Sequence, residues 1–490
     1  MRAETTHPLM TRVALGLLLV VTCAGIGYAL SGESRLPLFA VGLLAGGALV
    51  VIVAELGLGA LWVWAPLSVV AFPLSQVLPG EPFVTFDRVW IGAMAVLLLI
   101  LPRVARMSRP TKHFVLALGA LALVWELRSA FGDSQQLYAL RTGVDALVLP
   151  LILFALVRQA VLLRPSNTER VAATLVIAGA MLAAVGVAQT IFGFELASLS
   201  GSEARYDSGI GAVRVSGPYD VPETYGLSLC LCLAATLYWI QARGQEAYLI
   251  GAGIVALELA AIGLTYFRVA WISAVVVIFF ALAFRPRHYG RVAVVLVTLG
   301  IALALVATQI QRSSTLSSRA TDTENVSSRL GAYKQSVQFW RENPAFGIGV
   351  AQYEEKALAL PPVKVDGINS APHPHSSFFG TLAELGAVGA LALLWLTFAV
   401  WRIIRALNRR RTGRREMLLA ASLMGAAIAY LLFSLTLTML PYSPSNLFLA
   451  VLLGLAAGRV DALREAPERP PQASSATPPS PARAHALVAR

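Results

Sequence analysis

Charge is scarce in this chain of 490 residues: Asp, Glu, Lys and Arg together make up 13% of it, against 57% hydrophobic residues. A soluble globular domain carries about 25% charged residues, so the shortage excludes an ordinary water-soluble enzyme. Cysteine is scarcer still. Cys23, Cys230 and Cys232 all fall in apolar runs, with neither metal-site spacing nor a disulfide framework. A phosphate-cradling nucleotide loop is also missing, since Gly347-Ile348-Gly349 is too short to serve as one. Coupling to ATP is therefore not expected.

Long apolar runs are abundant. A bilayer crossing needs about 20 mostly apolar residues, and the pattern predicts spans near 12–30, 36–55, 58–76, 88–102, 113–130, 142–162, 171–193, 221–241, 247–265, 267–284, 292–309, 376–401, 417–435 and 441–458. The fold class read from this is all-α integral membrane, with about 12–14 transmembrane helices. Arg2 and Arg12 precede the first run as in a signal peptide, but no small-residue cleavage site follows, so a retained helix is expected.

Positive charge gathers in loops on one side. Arg103, Arg106, Arg109 and Lys112 share one loop, Arg285, Arg287 and Arg291 a second, and Arg402, Arg405, Arg409, Arg410, Arg411, Arg414 and Arg415 a third. The positive-inside bias makes that side cytoplasmic. The net charge of +12 then reflects topology and contact with anionic membrane lipid, and no nucleic-acid partner is needed. The same count puts residues 194–220 and 310–374 outside. In the larger loop Leu330, Tyr333, Val337 and Trp340 recur at helical spacing before Asn343, Pro344 and Gly347, which predicts an amphipathic helix with that stripe as its apolar face. The organisation expected is 1–309 N-terminal helices, 310–374 outer loop, 375–460 C-terminal helices and 461–490 a Pro-, Ala- and Ser-rich disordered cytoplasmic tail.

Ionisable side chains near the bilayer cost about 2.5–3.5 kcal/mol and usually have a partner or a task. Arg268 falls at an outer turn that splits the apolar stretch from Tyr248 to Phe284. It either marks the hairpin by snorkelling or presents a cation to an anionic group. Arg141 precedes Asp145 by four residues, the spacing of a helical ion pair. Arg128 lies near Glu126, and Arg205 and Arg214 flank "YDSGIGAV" in the shorter outer loop. Guanidinium forks match phosphate oxygens, so several arginines on one outer surface suit a diphosphate.

His373 and His375 sit in "PHPHSSFFGTLAELGAVGAL", where the large loop re-enters the membrane. A metal site would need Glu354, Glu355 or Asp366 as further ligands, and no recognisable spacing joins them. A structural reading has His375, Ser376 or Ser377 capping the helix. A catalytic reading uses an imidazole with a pKa near 6.5 to take a proton from a hydroxyl.

The run His375, Ser376, nine residues, Gly386, two residues, Gly389 resembles the His-[Asn/Ser/Gln]-x9-Gly-x-x-Gly pattern of the O-antigen ligase and Wzy polymerase superfamily. "RLGAYKQSVQFWRENPAFGIGVAQYE" is similar to that family's large loop, "LTYFRVAW" to its Arg-bearing helix start and "RVSGPYDVPETYG" to its shorter loop. Ser376 stands where Asn is commonest, Phe267 where Ser is usual, and "DVPETYG" lacks a second Asn, which leaves any role of Glu223 open. The resemblance implies a GT-C-like transferase of the bacterial inner membrane. It would be inverting and metal-independent, without cofactor, with an active site facing the periplasm. The donor would be an undecaprenyl-diphosphate-linked glycan and the acceptor lipid A-core, another glycan or a protein. It also implies His375 as the base at the acceptor hydroxyl and Arg268 at the diphosphate, with Arg214, Arg141, Arg205 and Arg128 as further substrate contacts. Gly386 and Gly389 are expected to fix the histidine through close helix packing. Two other classes stay open: a transporter or flippase gripping the same diphosphate, which internal inverted repeats would favour, and a non-catalytic scaffold.

Overall fold

The computed structural model describes residues 52–53, 56–76, 85–100, 106–131, 135–193, 206–207, 212–283, 324–409 and 413–465. The expected spans 12–30 and 292–309, most of 36–55, Cys23, Arg103, Arg205, the 285–291 arginines and residues 466–490 lie outside the described residues.

The described chain is helical apart from two short two-stranded pairings, and it is an all-α integral membrane protein. The helices are α1 Gly59–Gln76, α2 Phe86–Ile100, α3 Arg109–Ala130, α4 Gln136–Gly143, α5 Leu149–Leu163, α6 Asn167–Phe192, α7 Pro222–Arg243, α8 Tyr248–Leu264, α9 Arg268–Ala283, α10 Glu324–Glu342, α11 Tyr353–Ala359, α12 Ser377–Arg409, α13 Arg414–Thr436 and α14 Ser443–Glu465. Among the described residues seven helical stretches are long and apolar enough to cross a membrane, one of which, 222–264, consists of α7 and α8 joined by the turn Gly244–Ala247. A π-helical turn, Val144–Val148, joins α4 to α5. In the loops β1, Tyr206–Asp207, pairs antiparallel with β2, Ala212–Val213, and β3, Lys364–Val365, with β4, Ile368–Asn369.

Local chemistry explains the ends. Ser108 is extended and its hydroxyl accepts from the Thr111 amide at 3.5 Å, with Pro110 in the first turn, so α3 starts there. Val221, held extended before Pro222, opens α7.

The core is built by close helix approach. α14 lies along α5 with Gly454 and Gly458 in the seam. A Cβ on Gly454 would lie 2.8 Å from the Val157 Cβ, and one on Gly458 2.7 Å from the Val161 Cβ. Small residues four apart let the backbones meet where burial in lipid supplies no hydrophobic drive. One turn further, Asp461 is fully buried and accepts from Arg158 Nε at 2.6 Å, the Ser108 amide at 3.0 Å and Thr111 Oγ1 at 2.9 Å. Residues 461–465, expected in the tail, belong to α14, and Asp461 among them is a packed helical residue.

The contacts sort the charges to two ends. Arg243 and Arg415 both meet Glu169, and Arg459 binds Glu416, at the end that holds the start of α3 and the finish of α12. Arg405 lies 4.8 Å over the Trp401 ring on that last stretch of α12. Arg128, Arg214, Arg268 and His375 lie at the opposite end, with the described part of the large loop. There Asp145 is bound at both oxygens by Arg88 of α2, Nε at 2.7 Å and Nη2 at 2.6 Å.

Candidate active site

The large loop is anchored through a break in α12. At Gly386 the backbone takes φ 64°, ψ −160°, inside what is otherwise one helix. The segment Pro344–Gly349 fills the gap: Ile348 and Gly349 amides donate to the Ala383 and Glu384 carbonyls at 2.8 and 3.0 Å, while the Ala387 and Val388 amides donate to the Pro344 and Ala345 carbonyls at 2.9 and 3.2 Å. Two carbonyls and two amides at the break thus find partners. A Cβ on Gly386 would lie 2.5 Å from the Ala345 carbonyl, and Gly347, at φ 64°, is pressed against Glu384 in the same way. Gly386 therefore serves a loop docked into a broken helix, not the helix-to-helix packing expected of it. The Glu384 side chain extends the seam by accepting from the Tyr353 amide at 3.3 Å.

Arg128 belongs to this anchor. Its guanidinium reaches the carbonyls of Phe346 at 3.3 Å, Gly347 at 3.5 Å and Phe131 at 3.4 Å. Those bonds tie the end of α3 to the loop.

The helix α10 forms over Glu324–Glu342 as expected, but a different face is buried. Ser327, Ala332, Gln335, Ser336 and Phe339 point inward, whereas Leu330 is 45% exposed. The partners of that inward face are loop residues: Ser370 donates to Gln335 at 3.1 Å and Tyr353 to the Ala332 carbonyl at 2.8 Å. Short polar side chains suit such partners, and hydropathy alone does not register them.

His375 stands where this loop meets the membrane helices. Ser376 donates to the Ser434 carbonyl at 3.2 Å, Ser377 donates to the Leu437 carbonyl at 3.2 Å, and Ser377 accepts from the Met439 amide at 2.8 Å. The two serines thus fasten α12 to the end of α13, a different task from the helix cap expected of them. The His375 backbone takes a positive φ of 46°, and its imidazole is half-buried. Among the described residues no protein group hydrogen-bonds to its ring nitrogens. The His373 ring meets it edge-on at 6.2 Å between centroids. Burial, and then the charge of Arg329 and the neighbouring His373, hold the His375 pKa down to about 4 from an ordinary 6.5. The imidazole is neutral at pH 7 and able to accept a proton.

Arg329, on α10, is the cation the sequence reading passed over. It stands four residues before Tyr333 on one helical face. Of the three acidic groups weighed as companions of His373, Glu354 lies with its Oε2 3.7 Å from His373 Nδ1, while Asp366 accepts from Ser327 at 3.0 Å.

Arg268 opens α9 at the same end of the bundle and is exposed. Its neighbour Phe267 packs on Phe433, centroids 5.3 Å apart, and the carbonyl of the next residue, Ser434, is the one held by Ser376. Arg214 bridges to this turn, donating to the Thr265 carbonyl at 3.2 Å and to Glu223 Oε1 at 3.1 Å, with its guanidinium 5.7 Å over the Phe267 ring. Glu223, whose role was open, is thus the partner that orients Arg214. Arg141 sits half-buried on α4.

Arg214 is thus a held guanidinium at this end of the bundle, and the His375 imidazole stands neutral in the field of Arg329. No curated protein matches the chain. Residues 253–394 match the model of the family Wzy_C, O-antigen ligase, and this stretch carries Arg268, Arg329, the docked loop, His375 and the Gly386 break.

Proposed function

We propose that the chain is a glycosyltransferase of the bacterial inner membrane that moves an oligosaccharide or polysaccharide from undecaprenyl diphosphate to an acceptor hydroxyl on the periplasmic side. The observation that supports this most is His375: half-buried, neutral, its ring nitrogens unclaimed among the described residues, and within the field of Arg329. The acceptor oxygen attacks the anomeric carbon as its proton passes to His375. The bond from that carbon to the diphosphate breaks, and its electron pair leaves on the diphosphate oxygen. Attack opposite the leaving group inverts the anomeric centre. Arg329 and Arg268, with Arg214 oriented by Glu223, stabilise the charge left behind. Preorganised guanidinium groups can serve that role without a metal ion.

A base with a pKa near 4 is weak. Burial is the first cause of that, and a diphosphate facing Arg329 offsets the second, the arginine's charge, so the imidazole gains some basicity when the donor is bound. Arg128 is an anchor of the loop in this reading, and Arg141 and Arg205 remain candidates for the outer reach of the glycan.

The test is transfer by the purified protein from a polyprenyl-diphosphate oligosaccharide to lipid A-core, to a second lipid-linked glycan or to a Ser/Thr peptide, with EDTA present. Product should form, and His375→Ala should lower turnover by about 10²-fold or more. Arg268→Ala should also fail while remaining folded. Full activity of His375→Ala would sink the base assignment, and lipid translocation without bond transfer would favour a transporter.

A further inference from the structure

The backbone of His375 is held in a conformation that non-glycine residues seldom adopt, φ 46°, and one side chain from outside the membrane helices reaches it. Tyr333, on α10, places its hydroxyl 3.3 Å from the His375 carbonyl and 3.1 Å from the Leu435 carbonyl. Leu435 lies in the last turn of α13, where helical carbonyls lack intrahelical partners. One phenolic hydrogen serves two acceptors from two elements, and the Tyr333 ring stacks on Phe379 of α12 at 4.5 Å and 13°. Burial raises the phenol's pKa above its ordinary 10, so the donor proton stays in place at physiological pH. Arg329 lies one turn earlier on the same helix.

We infer that Tyr333 is a positioning residue, whose hydroxyl fixes the left-handed turn at His375 and so sets where the imidazole stands relative to Arg329. Without that bond the turn relaxes toward ordinary backbone geometry and the ring moves outward, away from both its burial and the arginine. The consequence for catalysis rests on the transferase reading, whereas the placement of the imidazole does not.

The test follows the carbethoxylation of His375 by diethyl pyrocarbonate, read by mass spectrometry across pH 3.5–8 on the full-length protein in detergent. The reagent attacks neutral imidazole, so the pH midpoint reports the ring's setting whether or not transfer occurs. Wild type should show a midpoint near 4. Tyr333→Phe, which keeps the stacked ring, should move it toward 6.5, the ordinary value. Phe379→Leu, which keeps the hydroxyl, should leave it near 4. In transfer assays Tyr333→Phe should lower kcat about tenfold, with the KM for the donor unchanged. An unmoved midpoint in folded Tyr333→Phe overturns the inference, and so does an equal shift in Phe379→Leu, which would assign the effect to ring packing. If wild type transfers nothing but the midpoint still moves in Tyr333→Phe alone, the positioning role stands and the transferase reading falls.

Discussion

A neutral imidazole beside a cation has a signature in pH. The acid limb of kcat/KM reports the base in the free enzyme, so activity per encounter should persist below pH 6.5 and fall only near pH 4, where His375 gains its proton. The acid limb of kcat, which reports the donor complex, should lie higher, because the diphosphate offsets Arg329. The sign for stability agrees: a histidine whose pKa is depressed on folding destabilises the native state as pH drops from 6.5 toward 4, since the unfolded chain takes the proton first. Arg329→Ala should bring the two acid limbs together. It should also weaken donor binding about 10- to 100-fold, the loss expected for a hydrogen bond to a charged group. A pH-rate series on wild type and Arg329→Ala checks both. Arg329 itself was not legible in the sequence, because a single arginine on a loop helix looks like a solvated charge until the fold sets it beside His375.

At the scale of elements, hydropathy was a good guide wherever lipid is the solvent. The expected boundary between spans 247–265 and 267–284 falls where α8 ends at Leu264 and α9 begins at Arg268. The stop of the loop helix before Asn343 was equally legible, since Pro344 and the glycines beyond it cannot continue a helix. The buried face of α10 was not legible, because its partners are polar loop residues remote in the chain, such as Ser370 and Tyr353. The break at Gly386 was hidden for a related reason: apolar periodicity runs through it, and only the docked Pro344–Gly349 segment shows why glycine is required. Gly386→Ala should therefore cost about 2 kcal/mol or more, from the left-handed φ and the Ala345 carbonyl in its way. Limited proteolysis should report it as new cleavage between residues 343 and 353. Arg128→Ala should open the same sites more mildly, since it removes three carbonyl contacts and leaves the break itself filled.

At the scale of the molecule, the two ends do different work. One is closed by the Gly454 and Gly458 seam and the buried pair of Arg158 and Asp461. Asp461→Ala should strand a buried guanidinium and cost about 3–5 kcal/mol, visible as a large fall in thermal midpoint, while the joint replacement of Arg158 and Asp461 by leucine should recover much of it. Gly458→Leu should lower the midpoint as well by forcing α14 off Val161. None of these changes touches the other end, where the proposed function divides the chemistry between arginines at the leaving group and His375 at the nucleophile. That division is tested most directly by measuring donor binding and single-turnover transfer on the same preparations of wild type, His375→Ala and Arg329→Ala with one polyprenyl-diphosphate oligosaccharide. The account predicts that His375→Ala binds donor as wild type does and transfers about 10²-fold more slowly or worse, while Arg329→Ala loses binding; transfer at the wild-type rate by His375→Ala would contradict it.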